Sequence, residues 1–252
     1  MKKFKEFILA ILILAAVGSL IYFMYQRGSN KTNRELAKRM MEISPRGGPP
    51  ETIEGLRQAI ALYEDQIERN IREGAQTGVY WKILGTRLAD TRGQGQHAAA
   101  LEAFEKAIYY NAEDASLYYL TGISAAMVAK SKVGFSVSSV REQEHYFRLA
   151  ENSHLRALEI EPTYTRPMYA LGVLYAFELD RGEDAIVQLE RYLQILPSDI
   201  NAMFVLARAY YMTRNFRRSA EIYDRIIDRS RNQEEKQNAM INKDEALRMM
   251  YE

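Results

Sequence analysis

Cysteine is absent from this 252-residue chain. That excludes disulfides, thiolate metal sites and cysteine nucleophiles, and it removes the residue a lipoprotein signal would acylate. It leaves the compartment open, since a chain without cysteine suits reducing and oxidising spaces alike. Proline is scarce at 6 residues and glycine at 14, and alternating runs of Val, Ile and Thr are nearly missing. The chain is therefore poor in the signals of sheet and rich in helix formers. An excess of charge is missing too. Lys plus Arg total 34 against 33 Asp plus Glu, so there is no general electrostatic pull toward nucleic acid. With 47% hydrophobic and 27% charged residues the balance is that of a globular chain rather than a disordered one.

One long hydrophobic run is present. Phe7 to Tyr25 is 19 residues without a charge, about 28 Å as a helix and close to the thickness of a bilayer's hydrocarbon core. Its apolar residues favour insertion by about 5 kcal/mol. Lys2, Lys3 and Lys5 precede it, as in a cleaved signal peptide. The run outlasts the short apolar region of such peptides, however, and an uncleaved anchor over residues 1–26 is the expectation. Basic residues flank both ends (Lys2, Lys3 and Lys5; Arg27, Lys31, Arg34, Lys38 and Arg39) and split the positive-inside vote. The export-like opening points to a single-pass protein of a bacterial inner membrane with a periplasmic domain; the cytoplasmic orientation stays open.

Residues 27–50 are expected to form a basic segment followed by a linker. Leu36, Ala37, Met40 and Met41 fall at helical spacing. Ser44-Pro45-Arg46-Gly47-Gly48-Pro49-Pro50 then breaks any helix. Ile53, Leu56, Ile60, Tyr63 and Ile67 predict an amphipathic helix from Glu51 to about Glu73.

From there the chain repeats itself. Trp81-x-x-Leu84-Gly85 precedes Ala100-x-x-x-Phe104-x-x-Ala107. Tyr118-x-x-Thr121-Gly122 precedes Ala150-x-x-x-His154-x-x-Ala157 and Pro162. Met168-x-x-Leu171-Gly172-x-x-Tyr175 precedes Ala185-x-x-x-Leu189-x-x-Tyr192 and Pro197. Met203-x-x-Leu206-Ala207-x-x-Tyr210 precedes Ser219-x-x-x-Tyr223-x-x-Ile226. Small residues at these offsets let two helices of a hairpin cross closely, and the large residues between them fill the space left. The pattern, from about Gly78 to Gln233, resembles the tetratricopeptide-repeat (TPR) signature, a helix–turn–helix unit of about 34 residues. The resemblance implies an all-α solenoid, a right-handed superhelix preceded here by the single membrane helix. The repeat domain would cover 51–233: a degenerate unit at about 51–77, then repeats at about 78–114, 115–164, 165–199 and 200–233. Residues 234–252 would cap it. The second repeat is long, its excess falling near Lys130 to Tyr146, which implies longer helices joined by a protruding loop.

In TPR domains the first helices of the repeats line a concave groove. The resemblance places Lys82, Tyr119, Met127, Arg166, Tyr169, Phe177, Phe204, Arg208 and Tyr211 there, with Thr86, Ile123, Val173 and Met212 beside them. Aromatic and Met side chains next to arginines suit peptide binding; the alternative is that the C-terminal helix folds back and fills the groove. Lys82 matches one position of the carboxylate clamp found in some chaperone-binding TPR domains, but Thr86, Leu120 and Ala170 depart from it, so that clamp is not expected. The insertion residues Val133, Phe135 and Val137 alternate with small residues. They fit either strand addition to a partner's sheet or packing on their own helices.

No enzyme signature stands out. His145 and His154 lie nine residues apart, on opposite sides of a helix, and cannot share a metal. His154 falls on a repeat core position. Gly93-Gln94-Gly95 lacks the third Gly and the Lys of phosphate loops. No cofactor and no catalytic group are expected. The reading is an interaction scaffold held at a membrane through residues 7–25, with other proteins and no nucleic acid as partners. In layout it is similar to ancillary secretion-translocon subunits and to collar components of flagellar motors. A co-chaperone for extended clients and a regulatory subunit docking on an enzyme are the alternatives.

Overall fold

The computed structural model describes residues 34–43, 50, 52–90, 96–132 and 137–251. Among the described residues there are helices and turns and no strand. They form two compact units that divide between Glu73 and Gly74.

In the first unit, α1 occupies 34–43 and is followed by the opening of α2 (Ile53–Ala89). Thr52 starts α2, its Oγ1 accepting the Gly55 amide at 3.0 Å. Gly55 and Ala59 are buried. A side chain at Gly55 would meet Pro50 Cβ at 2.9 Å, so glycine is what lets Pro50 lie against the first turn of α2. The helix expected to close near Glu73 does not close: α2 continues to Ala89 as 37 residues. Gly74 and Gly78 lie inside it, and two glycines at about 1 kcal/mol each do not outweigh a long helix without proline.

The second unit is a stack of hairpins. Its helices after α2 are α3 (His97–Tyr110), α4 (Ala115–Ser131), α5 (Val137–Ile160), α6 (Thr165–Phe177), α7 (Gly182–Ile195), α8 (Ile200–Met212), α9 (Phe216–Arg229) and α10 (Gln233–Arg248). Several starts are capped. Asp114 accepts the Ser116 amide at 3.0 Å, Asp199 that of Ala202 at 3.0 Å, and Asn232 that of Glu234 at 2.9 Å, each satisfying an orphan donor of the first turn. The short turns inside the later hairpins end α6 and α8 with left-handed residues, Asp180 at φ 52° and Arg214 at φ 59°. There the Arg181 amide returns to the Tyr175 carbonyl at 2.9 Å and the Asn215 amide to the Tyr210 carbonyl at 2.8 Å.

Successive helices pack pairwise from α3 to α10, and the first helices also touch across repeats, α4 on α6 and α6 on α8. That second set of contacts makes a solenoid of the hairpins. Each crossing is built on a small residue. A Cβ added at Gly85 would lie 2.6 Å from Phe104 Cε1, one at Gly122 2.6 Å from His154 Nδ1, and one at Gly172 2.5 Å from Leu189 Cγ. In the last hairpin Ala207 takes the place of glycine and its carbonyl accepts Ser219 Oγ at 2.9 Å. Ala100, Ala150, Ala185 and Ser219 are all fully buried. Helices α4 and α5, at 17 and 24 residues, exceed the 13 and 14 of α6 and α7.

The expectation of a single-pass membrane protein is corrected. Among the described residues no helix is long and apolar enough to cross a membrane. The longest, α2, carries Glu54, Arg57, Glu64, Asp65, Glu68 and Arg69 in its first half, and burying such charges in hydrocarbon is prohibitive. The segment on which the expectation rested, Phe7 to Tyr25, lies outside the described residues.

Candidate functional site

The first helices of the repeats, α4, α6 and α8, line one face of the second unit. Between α4 and α6 this face opens into a cavity of about 500 Å3. Tyr119, Ile123, Ala126 and Met127 wall it from α4; Tyr169, Ala170, Val173 and Leu174 from α6; Tyr192 and Leu196 from the end of α7. Two bordering rings, Tyr169 and Tyr192, pair at 5.4 Å between centroids, and Tyr119 pairs at 5.7 Å with Tyr164, which is outside the lining. The lining is mostly apolar, with charge at the rim. Lys130 bridges to Glu178 at 2.9 Å, joining the ends of α4 and α6. Arg166 is exposed at the opening.

His154 contributes to the same cavity. Its imidazole is buried against Gly122 and lies 5.8 Å from the Tyr119 ring. Burial pushes its pKa down to about 4, because no described carboxylate compensates the desolvation of an imidazolium. Its Nδ1 has no hydrogen-bond partner among the described residues. Burial also raises the Tyr169 and Tyr192 hydroxyls. The Asp199 charge adds to both shifts, and Tyr192 further donates to Asp199 Oδ2 at 2.6 Å.

Further along, residues of α10 join the lining of this face. Phe177, Phe204, Arg208 and Tyr211 line a cavity of about 420 Å3 with Tyr223, Asn242 and Glu245. A neighbouring cavity of about 510 Å3 is bounded by Tyr169, Phe177, Phe204, Asn238 and Ile241. The Arg208 guanidinium sits 4.6 Å from the Phe177 ring centroid and donates from Nε to the Ala176 carbonyl at 3.3 Å, which fixes its position across the α6–α8 step.

The residues the TPR resemblance nominated thus divide. Tyr119, Met127, Arg166 and Tyr169 surround the first cavity. Phe177, Phe204, Arg208 and Tyr211 surround the α10-walled part. Lys82 stands apart: its ammonium pairs with Asp114 at 2.7 Å and donates to Ser116. Burial pushes the Asp114 carboxyl up, yet the hydrogen bonds from Lys82 and Ser116 and the Lys82 charge outweigh it and hold it below the usual carboxylate value. Of the insertion residues, Val133 and Phe135 lie outside the described residues, while Val137 opens α5 and is 75% exposed. Sequence reasoning did not place Lys130, Glu178 or Tyr192 at the groove; it allowed the C-terminal helix to fold back on the groove without naming Asn238, Ile241 and Asn242. For α10 the signal was available, since 238, 241 and 242 share one helical face.

Among the described residues no group of three or more His, Asp or Glu is placed to hold a metal ion.

No family model matches the chain. A TPR repeat-containing protein of Borreliella burgdorferi is 22% identical over 227 residues, covering 90% of this chain and 95% of that protein. Among solved structures, residues 41 to the end of MamA from Desulfovibrio magneticus RS-1 match with a TM-score of 0.52 at 14% identity, over 69% of this chain and 96% of that one. A thermophilic TPR protein of Thermus thermophilus matches with a TM-score of 0.51 at 16% identity, over 76% of this chain and 90% of that one. Repeat signature, hairpin packing and these likenesses agree that the chain has the all-α solenoid fold of TPR proteins.

Proposed function

We propose that this chain is a protein–protein interaction scaffold that holds an extended segment of a partner on the face lined by α4, α6 and α8. The observation that carries this reading is the cavity between α4 and α6. Its walls are large, adaptable apolar side chains (Tyr119, Met127, Tyr169, Val173) and its opening carries Arg166 and Lys130. Such a site takes an apolar side chain of the partner and sets a nearby carboxylate against the arginine. The α10 wall bounds the groove at its other end, and none of the lining of the first cavity comes from α10. Within this reading residues 51–233 are the repeat domain and 234–252 its cap, and the chain organises a fixed complex rather than many transient clients.

The test is crosslinking of the full chain in its native cells, followed by identification of what is captured. One or a few proteins in constant ratio are expected. Tyr169→Ala, Phe177→Ala and Arg208→Ala together should abolish the capture while leaving the helical circular dichroism unchanged. Undiminished capture by that triple variant rejects the groove. Weak capture of many unrelated proteins rejects the scaffold in favour of a client binder.

A further inference from the structure

Ile53, Leu56, Ile60, Tyr63 and Ile67 of α2 recur at steps of three, four, three and four, the a and d positions of a heptad. All five are exposed, from 43% for Leu56 to 73% for Ile53. The covered side of the same stretch is a different one. Gly55 and Ala59 are buried, and Leu62, Gln66 and Arg69 face Leu36 and Arg39 of α1 across a cleft. So α1 takes one side of the helix, and the heptad seam is left uncovered by the described residues. Five large apolar side chains in a row on one exposed face mark a contact surface rather than scattered surface hydrophobics.

The charges beside the seam say what fits it. Asp65 pairs with Arg69 and Glu68 with Arg72 along the helix itself. Arg57 and Glu64 have no ion-pair partner among the described residues, and both occupy e positions, directly after Leu56 and Tyr63. In a parallel pair of such helices the e positions meet g positions, here Ala59 and Gln66, and no ion pair forms. Reversing one helix brings e against e. With Ile60 opposite Tyr63 of a second copy, Leu56 meets Ile67, and Arg57 comes beside Glu64. By symmetry the same contacts form twice. The seam is self-complementary in the antiparallel sense only, which is what an isologous two-fold interface requires.

We infer that two copies of this chain associate through an antiparallel helix pair built on residues 53–67 of α2. This stretch is about 22 Å long, enough for four apolar layers flanked by two Arg57–Glu64 pairs. The seam belongs to the first unit and the α4–α6 cavity to the second, so the association and the partner groove draw on separate residues.

Sedimentation equilibrium of the full chain, from about 1 to about 100 μM, tests it. The expected mass is twice 29.1 kDa. Ile60→Glu with Ile67→Glu, at exposed positions, should return the single-chain mass throughout with unchanged circular dichroism. Arg57→Glu or Glu64→Arg alone should weaken association by about tenfold, and the two together should restore it. A single-chain mass for the natural sequence overturns the inference, as does a dimer indifferent to the two glutamates. A charge swap that fails to restore association overturns the antiparallel register. If the glutamates lower the melting temperature and leave the mass unchanged, the seam is covered by the chain's own residues and the inference falls.

Discussion

In hairpin α4–α5 the side chain seated on the first helix's glycine is His154 on Gly122; in hairpin α6–α7 it is Leu189 on Gly172. Both side chains are buried to 2% exposure or less, and both crossings are tight enough to demand glycine. The surroundings differ. Leu189 is part of a continuous apolar core running from α5 into α10, with Leu171, Tyr175, Met203 and Leu206. His154 instead borders the cavity under Tyr119 and Tyr169. One crossing is filled, and the other is filled on one side only. A repeat can therefore keep its hairpin geometry while its large core position gives up apolar packing for a polar ring at the floor of a groove.

The contrast can be broken most severely at the glycines. Gly172→Val should destabilise the fold by more than about 3 kcal/mol, because a Cβ there lies 2.5 Å from Leu189 Cγ in a closed core. Gly122→Val should cost less, since the His154 ring has a cavity to shift toward. Equal losses in chemical denaturation would show that the cavity provides no relief.

His154→Leu makes the first crossing resemble the second and should change the pH dependence of stability. The folded value of about 4 lies below the ordinary histidine value of 6.5, so the unfolded chain takes up the proton first as pH falls. Stability from this group is complete above about 6.5 and declines toward pH 4, by about 3 kcal/mol in all. The stretch from about 6.5 to about 5, above most carboxylate titration, is the diagnostic part. Denaturant midpoints measured there should fall for the natural chain and stay level for the variant.

The third crossing sharpens the comparison at smaller scale. Ser219→Ala removes the 2.9 Å bond to the Ala207 carbonyl and should cost about 1 kcal/mol. Lys82→Met should matter least, about 0.5 kcal/mol or below, because the ion pair with Asp114 is about a third exposed. The same denaturation experiment reads both.

The hairpins were legible because their signal is short-range. Small residues at 85, 122, 172 and 207 and large ones at 104, 154, 189 and 223 recur at offsets that two crossing helices impose. The continuity of α2 was not legible. The helix expected to close near Glu73 runs on through Gly78, where a Cβ would sit 2.8 Å from Tyr110 Cβ and in collision with the Asn111 side chain. The residue serves the close approach of the α3 end, a contact more than 30 positions away in sequence. Lys82 matched a ligand-binding position by offset alone, and its commitment to Asp114 and Ser116 depends on where the next hairpin starts.

What the sequence determined by itself was the repeated unit: helix class, crossing points and the identity of the side chain at each crossing. Periodicity and sterics act within about 40 residues and are written into each repeat. Only the tertiary structure decided which face of each unit stays open. Stacking brings α4 to α6 and α6 to α8, and so makes a cavity beside one crossing, closes the next, and sets α10 as a wall. Those contacts form only between one hairpin and the next, a property of the stack that no single repeat carries.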